Sequence, residues 1–223
     1  MNNINLITHT DYINYLISKH NFKSYLEIGV FFGENYDKII CENKECCDIS
    51  DENYKPTYLM SSDEMFERMP LDKKYDIIFI DGMHEASYLY RDIINSLKHL
   101  NKNGLILCHD VLPHAYINTL EFNVFNELGY GWTGDVWKVV EQLQKNNIEF
   151  YTVHNEDMGL GIIKYNDNPY RFNTIYENSS LKYEYVFGYN IINNANDWVL
   201  PNITNQGKYV LHLISKKDFL EMF

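Results

Sequence analysis

The sequence predicts an α/β fold: a doubly wound, mostly parallel sheet of seven strands with helices on both faces. Two observations support this prediction. Tyr75–Ile80 (YDIIFI) is an almost unbroken apolar run, which is typical of a central strand buried on both faces. From residue 24 to residue 110, strand patterns alternate with helical patterns, as in sheets whose parallel strands are joined by helices. We expect one domain over residues 1–223, with a core at about 24–164 and an appended segment at 165–223.

The composition is that of a globular chain with an acidic surface. Of the 223 residues 45% are hydrophobic, and 31 acidic residues outnumber 19 basic ones, so the net charge is -12. Such a surface repels phosphate backbones, and no nucleic-acid partner is expected. Neither a membrane-spanning apolar run nor a secretion signal is recognisable, so no membrane partner is expected. The four cysteines lack zinc-site or disulfide spacing, which indicates a reducing compartment and predicts a cytoplasmic protein.

The first half of the chain is predicted to contain five strands and the helices that join them. Helical spacing of apolar residues predicts helices over Asp11–His20, capped by Thr10 or Asp11, and over Asn35–Glu42. Ser61-Ser62-Asp63 is typical of a helix start, and a later helix ends at about Leu100 before a turn at Asn103-Gly104. The five strands are predicted at Tyr25–Ile28, Glu45–Ile49, Thr57–Met60, Tyr75–Ile80 and Leu105–Cys108.

The second half of the chain is less regular. Val111–Thr133 is predicted to be a long functional loop, and Asp135 to cap a helix over Val136–Asn146. Two late strands, Glu149–Val153 and Gly159–Lys164, are expected to form an antiparallel hairpin at the end of the sheet. In the appended segment, weak strand patterns occur at Tyr183–Phe187 and Tyr209–Ile214.

The stretch Tyr25–Asn35 (YLEIGVFFGEN) is the one most indicative of ligand binding. Glu27 lies near the carboxyl end of a buried strand, and Gly29 and Gly33 allow the following loop to approach a ligand closely. Ligands of open parallel sheets bind at this end of the strands. Asp48 follows after one β-α-β unit, where a carboxylate can accept both ribose hydroxyls. The GxGxxG pattern of dinucleotide dehydrogenases is absent.

Further titratable residues follow the later strands. Asp81 comes directly after the fourth strand, and His109 and Asp110 come at the end of the fifth. Because these strand ends meet at one edge of a parallel sheet, we expect the three residues to lie close to Glu27. His84 follows Asp81 in the same loop, and a histidine suits general-base catalysis near neutral pH; a purely loop-ordering histidine is the alternative.

Five segments of this chain carry a family resemblance: LEIGVFFGEN (26–35), CDIS (47–50), YDIIFIDGMH (75–84), GLILCHDV (104–111) and GDVWK (134–138). The chain resembles class I S-adenosylmethionine-dependent methyltransferases, and more narrowly the branch of macrocin-type O-methyltransferases and cephalosporin-hydroxylase-like proteins. The resemblance covers about Ser24–Lys164 and is most specific in the combination of IDGxH with HDV. It implies a Rossmann-like methyltransferase fold.

The resemblance also implies roles for individual residues. S-adenosylmethionine would be the cofactor, and Mg²⁺ or another divalent cation would be the metal. The residues implied in cofactor binding are Glu27, Gly29, Gly33, Asp48, Ser62, Asp63 and Asp81. Those implied in metal binding are Asp81, His109 and Asp110, and those implied in catalysis are His84 and Asp110. Since Ser62 and Asp63 also suit helix capping, capping alone is the alternative for this pair.

The expected reaction is metal-assisted methyl transfer to a hydroxyl of a small molecule or sugar. One alternative is an N-methyltransferase, which would need no metal. Another is a non-catalytic domain that keeps the cofactor fold and binds a partner. The appended segment is expected either to cap the acceptor pocket or to form a homodimer contact, and the sequence leaves both open.

Overall fold

Eight strands form one mixed sheet in the computed structural model of the protein, which describes residues 5–114, 116–119, 131–140, 143, 148–155, 157–164 and 213–223. The strands are β1 (Ser24–Ile28), β2 (Asn43–Asp48), β3 (Tyr58–Leu59), β4 (Tyr75–Ile80), β5 (Leu100–His109), β6 (Tyr151–Val153), β7 (Leu160–Lys164) and β8 (Leu213–Ile214). The helices are α1 (His9–His20), α2 (Ser62–Arg68), α3 (Ala86–Lys98) and α4 (Lys216–Met222), and short 3-10 turns lie at Tyr36–Lys38, Tyr116–Thr119 and Val136–Lys138.

The strand order is β3-β2-β1-β4-β5-β7-β6-β8. Strands β1 to β5 are parallel, β7 runs antiparallel to β5 and β6, and β8 is parallel to β6. The chain therefore moves outward from β1 to β3 and then restarts on the other side of β1 with β4. This confirms the predicted doubly wound sheet and late hairpin, and it corrects the predicted strand count from seven to eight.

Each face of the sheet has its own apolar core because side chains alternate along the strands. Leu26, Ile78 and Ile106 point to the face covered by α2 and α3. Tyr25, Ile77 and Phe79 point to the opposite face, where α1 and α4 pack. Strand β4 is apolar on both sides, as its sequence predicts, and its bounds are those predicted.

The predicted helix over Asn35–Glu42 is wrong: only the short 3-10 turn at Tyr36–Lys38 forms there. Polar side chains from other elements satisfy the backbone groups that a helix would have paired. The Asn14 amide accepts from the N–H of Ile40 (2.8 Å) and donates to the carbonyl of Lys38 (3.0 Å). Ile40, an apolar residue within that predicted helix, is 78% exposed. Tertiary contacts thus override local helix propensity here.

Two further predictions need correction. The Asn103-Gly104 turn is instead an irregularity within β5, with Asn103 at φ 65. Asp135 does not cap its own helix; its Oδ1 accepts from the N–H of Ala86 at 2.7 Å and so caps α3. Residues 141, 142 and 144–146 of the predicted helix Val136–Asn146 lie outside the described residues, as do the weak strand at Tyr183–Phe187 and much of the loop Val111–Thr133.

The end of the predicted appended segment packs onto the sheet. Strand β8 adds to β6, and α4 places the Phe219 ring 4.8 Å from the ring of Tyr12 on α1. Phe219 and Phe223 are both buried. Residues 213–223 therefore contribute to the core on the α1 face. Within the described parts of the chain, every helix is too short or too polar to cross a bilayer.

Candidate active site

The carboxyl ends of β1, β2, β4 and β5 lie at one level of the sheet. Ile28 pairs with Cys47 on one side and with Ile80 on the other, and Ile80 pairs with Cys108. The next residue along each strand is therefore Gly29, Asp48, Asp81 or His109. Because β1 and β4 are neighbours from which the chain winds in opposite directions, this level is the topological switch point where such sheets bind ligands.

Gly29 brings the loop after β1 into close contact with the end of β4. Its φ is 83, and a Cβ placed on it would lie 2.0 Å from the carbonyl oxygen of Asp81. Gly33 is similarly constrained: its φ is 76, and a Cβ on it would lie 2.2 Å from the Tyr54 ring. Side chains at either position would displace neighbouring atoms, so both glycines shape the predicted cofactor loop.

Asp48 holds the loop after β1 in place. Its Oδ2 accepts from the backbone N–H groups of Val30 (2.9 Å) and Phe31 (3.0 Å), and its Oδ1 accepts from Ser50 (3.1 Å). Phe31 has φ 48, which is unusual for a bulky residue, and the two hydrogen bonds stabilise this conformation. The carboxylate therefore orders the loop that the sequence predicts to bind the cofactor. Its contact with the ribose is a separate prediction.

Asp48→Ala should weaken S-adenosylmethionine binding about 10- to 100-fold, because hydrogen bonds to a charged group contribute about 1.5–3 kcal/mol. Asp48→Asn is the matched control, since its amide oxygen can still accept from the loop while the charge is lost. We expect its affinity to lie between those of the wild type and the alanine variant by calorimetric titration. An unchanged affinity in a correctly folded Ala variant would remove Asp48 from the site.

Glu27 is buried and already has protein partners. Its Oε2 accepts from the Tyr25 hydroxyl and from the Asn35 amide at 2.8 Å, and Asn35 in turn accepts from Thr10 at 2.7 Å. Burial raises the pKa of Glu27 to about 8. The structure thus gives Glu27 a role in tying β1 to the loop and to α1, while its contact with the cofactor remains a prediction.

Glu27→Gln should change how stability depends on pH. Between about pH 4.5 and 8 the unfolded chain loses the Glu27 proton while the folded protein keeps it, because the pKa of the folded state is raised to about 8. This residue therefore lowers the free energy of unfolding as the pH rises through that range, by up to about 5 kcal/mol. Relative to wild type, the Gln variant should gain stability from pH 5 to pH 8 in urea unfolding, whereas the exposed Glu52→Gln control should not. Parallel curves for wild type and Glu27→Gln would contradict the raised pKa.

Ser62 and Asp63 lie in the first turn of α2, which Ser61 caps by accepting from the N–H of Glu64. Arg91 on α3 donates to both oxygens of Asp63, at 2.9 Å and 3.2 Å. Ser62 is hydrogen-bonded to the buried carboxyl of Asp92, also on α3. The described partners of Ser62 and Asp63 therefore join α2 to α3, and their predicted contact with the adenine end stays a prediction.

Asp81, His84 and Asp110 form a cluster beyond β4 and β5. His84 Nε2 lies 3.2 Å from Asp110 Oδ2 and 3.5 Å from Asp81 Oδ1. The Nδ1 of the same ring lies 2.7 Å from the carbonyl oxygen of Trp132, and the two rings stack at 4.9 Å. Since a carbonyl only accepts, Nδ1 carries the hydrogen, and Nε2 is the nitrogen that faces the two carboxylates.

The charges of this cluster are strongly interdependent. Burial would raise the pKa of Asp81, but His109 and His84 outweigh it and hold that pKa well below its usual range. Burial would lower the pKa of His84, but the hydrogen bond to Asp81 and the charge of Asp110 raise it overall. Burial raises the pKa of Asp110 to about 6. The cluster thus combines an ionised carboxylate, a second carboxylate that titrates nearer neutrality, and a histidine.

The predicted metal ligands are only partly grouped as expected. Asp81 and Asp110 come together, but the nitrogen between them is His84 Nε2. His109 lies beside this cluster, with Nδ1 3.2 Å from Asp81 Oδ1 and 3.5 Å from Asp110 Oδ1. Its other nitrogen faces Asp157 on the loop between β6 and β7.

Residues to which the sequence assigned no role in the site hold the His84 loop. Gly134 has φ 54, and a Cβ there would lie 1.9 Å from the carbonyl oxygen of His84. The backbone N–H of Asp135 donates to that same oxygen at 3.2 Å, and the N–H groups of Thr133 and Gly134 donate to the carbonyl of Asn118. In the sequence, Gly134 and Asp135 stand out only as part of the GDVWK segment of the family resemblance. Their role in holding the His84 loop follows from the packing of this segment against α3.

Comparison with known proteins identifies the fold. A family profile described as a methyltransferase domain matches residues 50–111, and no curated protein sequence matches the chain significantly. An O-methyltransferase from Bacillus cereus, solved with S-adenosylhomocysteine, is similar over 74% of this chain and 84% of its own (12% identity, TM-score 0.52). The O-methyltransferase TomG from Streptomyces achromogenes, which takes part in tomaymycin synthesis and was solved with S-adenosylmethionine, is similar over 74% and 83% (10% identity, TM-score 0.50).

A third similar structure is a Staphylococcus aureus protein provisionally described as a caffeoyl-CoA O-methyltransferase. The similarity covers 74% of this chain and 87% of that one, with 21% identity and a TM-score of 0.54. At such identities the likeness establishes the fold. Together with the methyltransferase-domain match, it confirms the expected class I methyltransferase architecture.

Proposed function

We propose that this chain, whose fold is that of class I methyltransferases, transfers the methyl group of S-adenosylmethionine to a hydroxyl of a small molecule or sugar, assisted by a divalent cation. The observation that carries this proposal is the cluster of Asp81, His84 and Asp110 beside the loop of Gly29. A hydroxyl must lose its proton to attack the methyl group, and such a cluster can promote that loss. A neutral amine would need no such cluster.

The loop after β1 supports cofactor binding. Gly29 lies at the switch point and packs against the backbone of Asp81, which keeps the loop close to the ends of β1 and β4. Asp48 holds the N–H groups of Val30 and Phe31. On this basis we assign Gly29, Gly33, Asp48 and Asp81 to the cofactor site. Glu27 stabilises the loop through its hydrogen bond with Asn35.

The residues of the cluster fit a divalent cation. The Nδ1–H of His84 is committed to the Trp132 carbonyl, so the lone pair of neutral His84 points at two carboxylates. Electrostatics require a proton or a metal ion at that point. Asp81, His84 and Asp110 would hold the ion, a mixed N/O set that suits several divalent metals. When bound, a divalent cation supplies Lewis acidity that lowers the pKa of an acceptor hydroxyl.

The chain's own residues have separate tasks in this proposal. His84 presents Nε2 to both carboxylates, at 3.2 Å and 3.5 Å, and so is assigned as a ligand rather than as the base. Asp110, a buried carboxylate 3.2 Å from His84 Nε2, is assigned to accept the hydroxyl proton. His109 donates from Nδ1 to Asp81 and orients that carboxylate. Alignment of acceptor and methyl group would supply much of the rate, since positioning alone can contribute about 7–11 kcal/mol.

The test is methyl transfer to a panel of acceptors. Purified protein is treated with chelator and incubated with S-adenosylmethionine and either hydroxylated small molecules and sugars or matched amines, with and without added Mg²⁺, Mn²⁺ or Zn²⁺. We expect S-adenosylhomocysteine and an O-methylated product only with added metal. Full activity in chelator, or methylation restricted to amines, would overturn the proposal.

A further inference from the structure

A second cluster of possible ligand atoms lies on the α1 side of the strand-end acids. It consists of His9 in the first turn of α1, His109 at the end of β5 and Asp157 between β6 and β7, and its ligand atoms lie within 4.8 Å of one another. His9 Nδ1 contacts Asp157 Oδ2, and His109 Nε2 lies 3.5 Å from the same oxygen. Three elements distant in the chain thus direct two imidazoles and one carboxylate to one point.

The orientation of His109 leaves one ring nitrogen without a hydrogen bond. Its Nδ1 lies 3.2 Å from Asp81 Oδ1, and because a carboxylate only accepts, the hydrogen is on Nδ1. Its Nε2 is buried and lies 3.5 Å from Asp157 Oδ2, too long a contact for a good hydrogen bond, and no better partner lies within the described residues. A buried lone pair facing a carboxylate is unfavourable unless a proton or a metal ion lies between them.

The other ligands are held ready by their surroundings. The His9 ring stacks on Phe79 with centroids 5.3 Å apart and lies 4.4 Å from the His109 ring. The Asn155 side chain accepts from the N–H groups of Asp157 (3.2 Å) and Gly159 (2.7 Å), which fixes the loop that carries the carboxylate. The side chains of His9 and Asp157 are 15% and 34% exposed, so an ion can reach them from solvent.

We propose that His9, His109 and Asp157 bind a second divalent metal ion, of the nitrogen-preferring class that includes Zn²⁺ and Co²⁺. Two imidazole nitrogens and one carboxylate oxygen form a ligand set typical of such ions, whereas Mg²⁺ prefers oxygen. Asp81 does not contact this ion but accepts a hydrogen bond from His109 Nδ1. Such a carboxylate behind a ligating histidine fixes the tautomer and the orientation of the imidazole ring. The ion would join α1, β5 and the β6–β7 loop beside the candidate active site.

Metal binding to variant proteins tests this proposal. Chelator-treated protein is titrated with Co²⁺, followed by its visible absorption, and bound Zn²⁺ is counted by elemental analysis after dialysis. His9→Gln should lose one equivalent of bound metal relative to wild type, with an affinity loss of at least about 100-fold, since even loss of an outer partner costs 10- to 100-fold. His20→Gln, a matched change at the other end of α1, should retain it. His84→Gln should also retain the metal ion bound by His9, His109 and Asp157. This result would distinguish that ion from one bound by Asp81, His84 and Asp110.

If circular dichroism shows that His9→Gln does not fold, the Co²⁺ spectra of Asp157→Asn and wild type are compared instead. An imidazole-ligated Co²⁺ spectrum that Asp157→Asn abolishes would support the site. Equal metal content and affinity in wild type, His9→Gln and His20→Gln would overturn it and leave a metal-free His–Asp–His contact. Because no cofactor or acceptor is needed, failure here is distinguishable from failure of the proposed methyl transfer.

Discussion

Asp110→Asn should lower the rate of methyl transfer by about 10²–10⁴-fold, the usual contribution of a group that moves a proton in the transition state. Asp110 Oδ2 lies 3.2 Å from His84 Nε2, and the amide nitrogen or oxygen of Asn cannot replace its charge. Asp110 has φ 60, a conformation that Asn adopts readily and Ala does not, so the Asn variant should keep the backbone. The turnover number with the acceptor found in the panel measures the effect.

The affinity of Asp110→Asn for S-adenosylmethionine should stay within a few-fold of the wild type, because Asp110 is assigned to the acceptor side of the site. Asp72→Asn makes the same chemical change at an exposed turn before β4, at the opposite end of the strands, and should leave both quantities unchanged. Wild-type turnover in Asp110→Asn would remove this residue from catalysis.

Gly29→Ala should prevent cofactor binding and destabilise the fold. The new Cβ would lie 2.0 Å from the carbonyl oxygen of Asp81, which is backbone and cannot move aside, and the residue would keep φ 83. A left-handed conformation costs an L-residue about 1–2 kcal/mol, and overpacking about 1–3 kcal/mol more. We therefore expect a loss of about 2–5 kcal/mol in the free energy of unfolding, measured in urea.

Gly82→Ala is the matched control for Gly29→Ala. Gly82 lies on the other side of the same contact, yet its nearest neighbour to a new Cβ is Ile28 Cγ2 at 3.7 Å, an ordinary packing distance. We expect the free energy of unfolding of Gly82→Ala to change by less than about 1 kcal/mol. Similar destabilisation by both substitutions would mean that the close approach at Gly29 is not what makes glycine necessary.

Patterns of adjacent residues were sufficient to predict the elements that locate the site. The apolar run of β4 predicted its bounds, and the acids after parallel strands predicted which residues would meet, because register places strand ends at one level. The helix predicted over Asn35–Glu42 failed because its backbone partners are Asn14 and Lys44, side chains that no local pattern includes.

Ring orientation and distant contacts were beyond such patterns. Sequence position puts both His84 and His109 near Asp81 but does not say which nitrogen faces which carboxylate; the Trp132 carbonyl decides this for His84. His9 and Asp157 are 148 residues apart in the chain, and only the packing of α1 beside the β6–β7 loop joins them. Their cluster therefore becomes apparent only in the folded protein.

Calorimetric titration of S-adenosylmethionine into the purified protein, in chelator and again with added Mg²⁺, tests the central claim most directly. We predict saturable binding with a stoichiometry of one per chain, weakened by Asp48→Ala and retained in Asp110→Asn. Absence of binding by the correctly folded protein under both conditions would contradict the assignment of the strand-end crevice as a cofactor site.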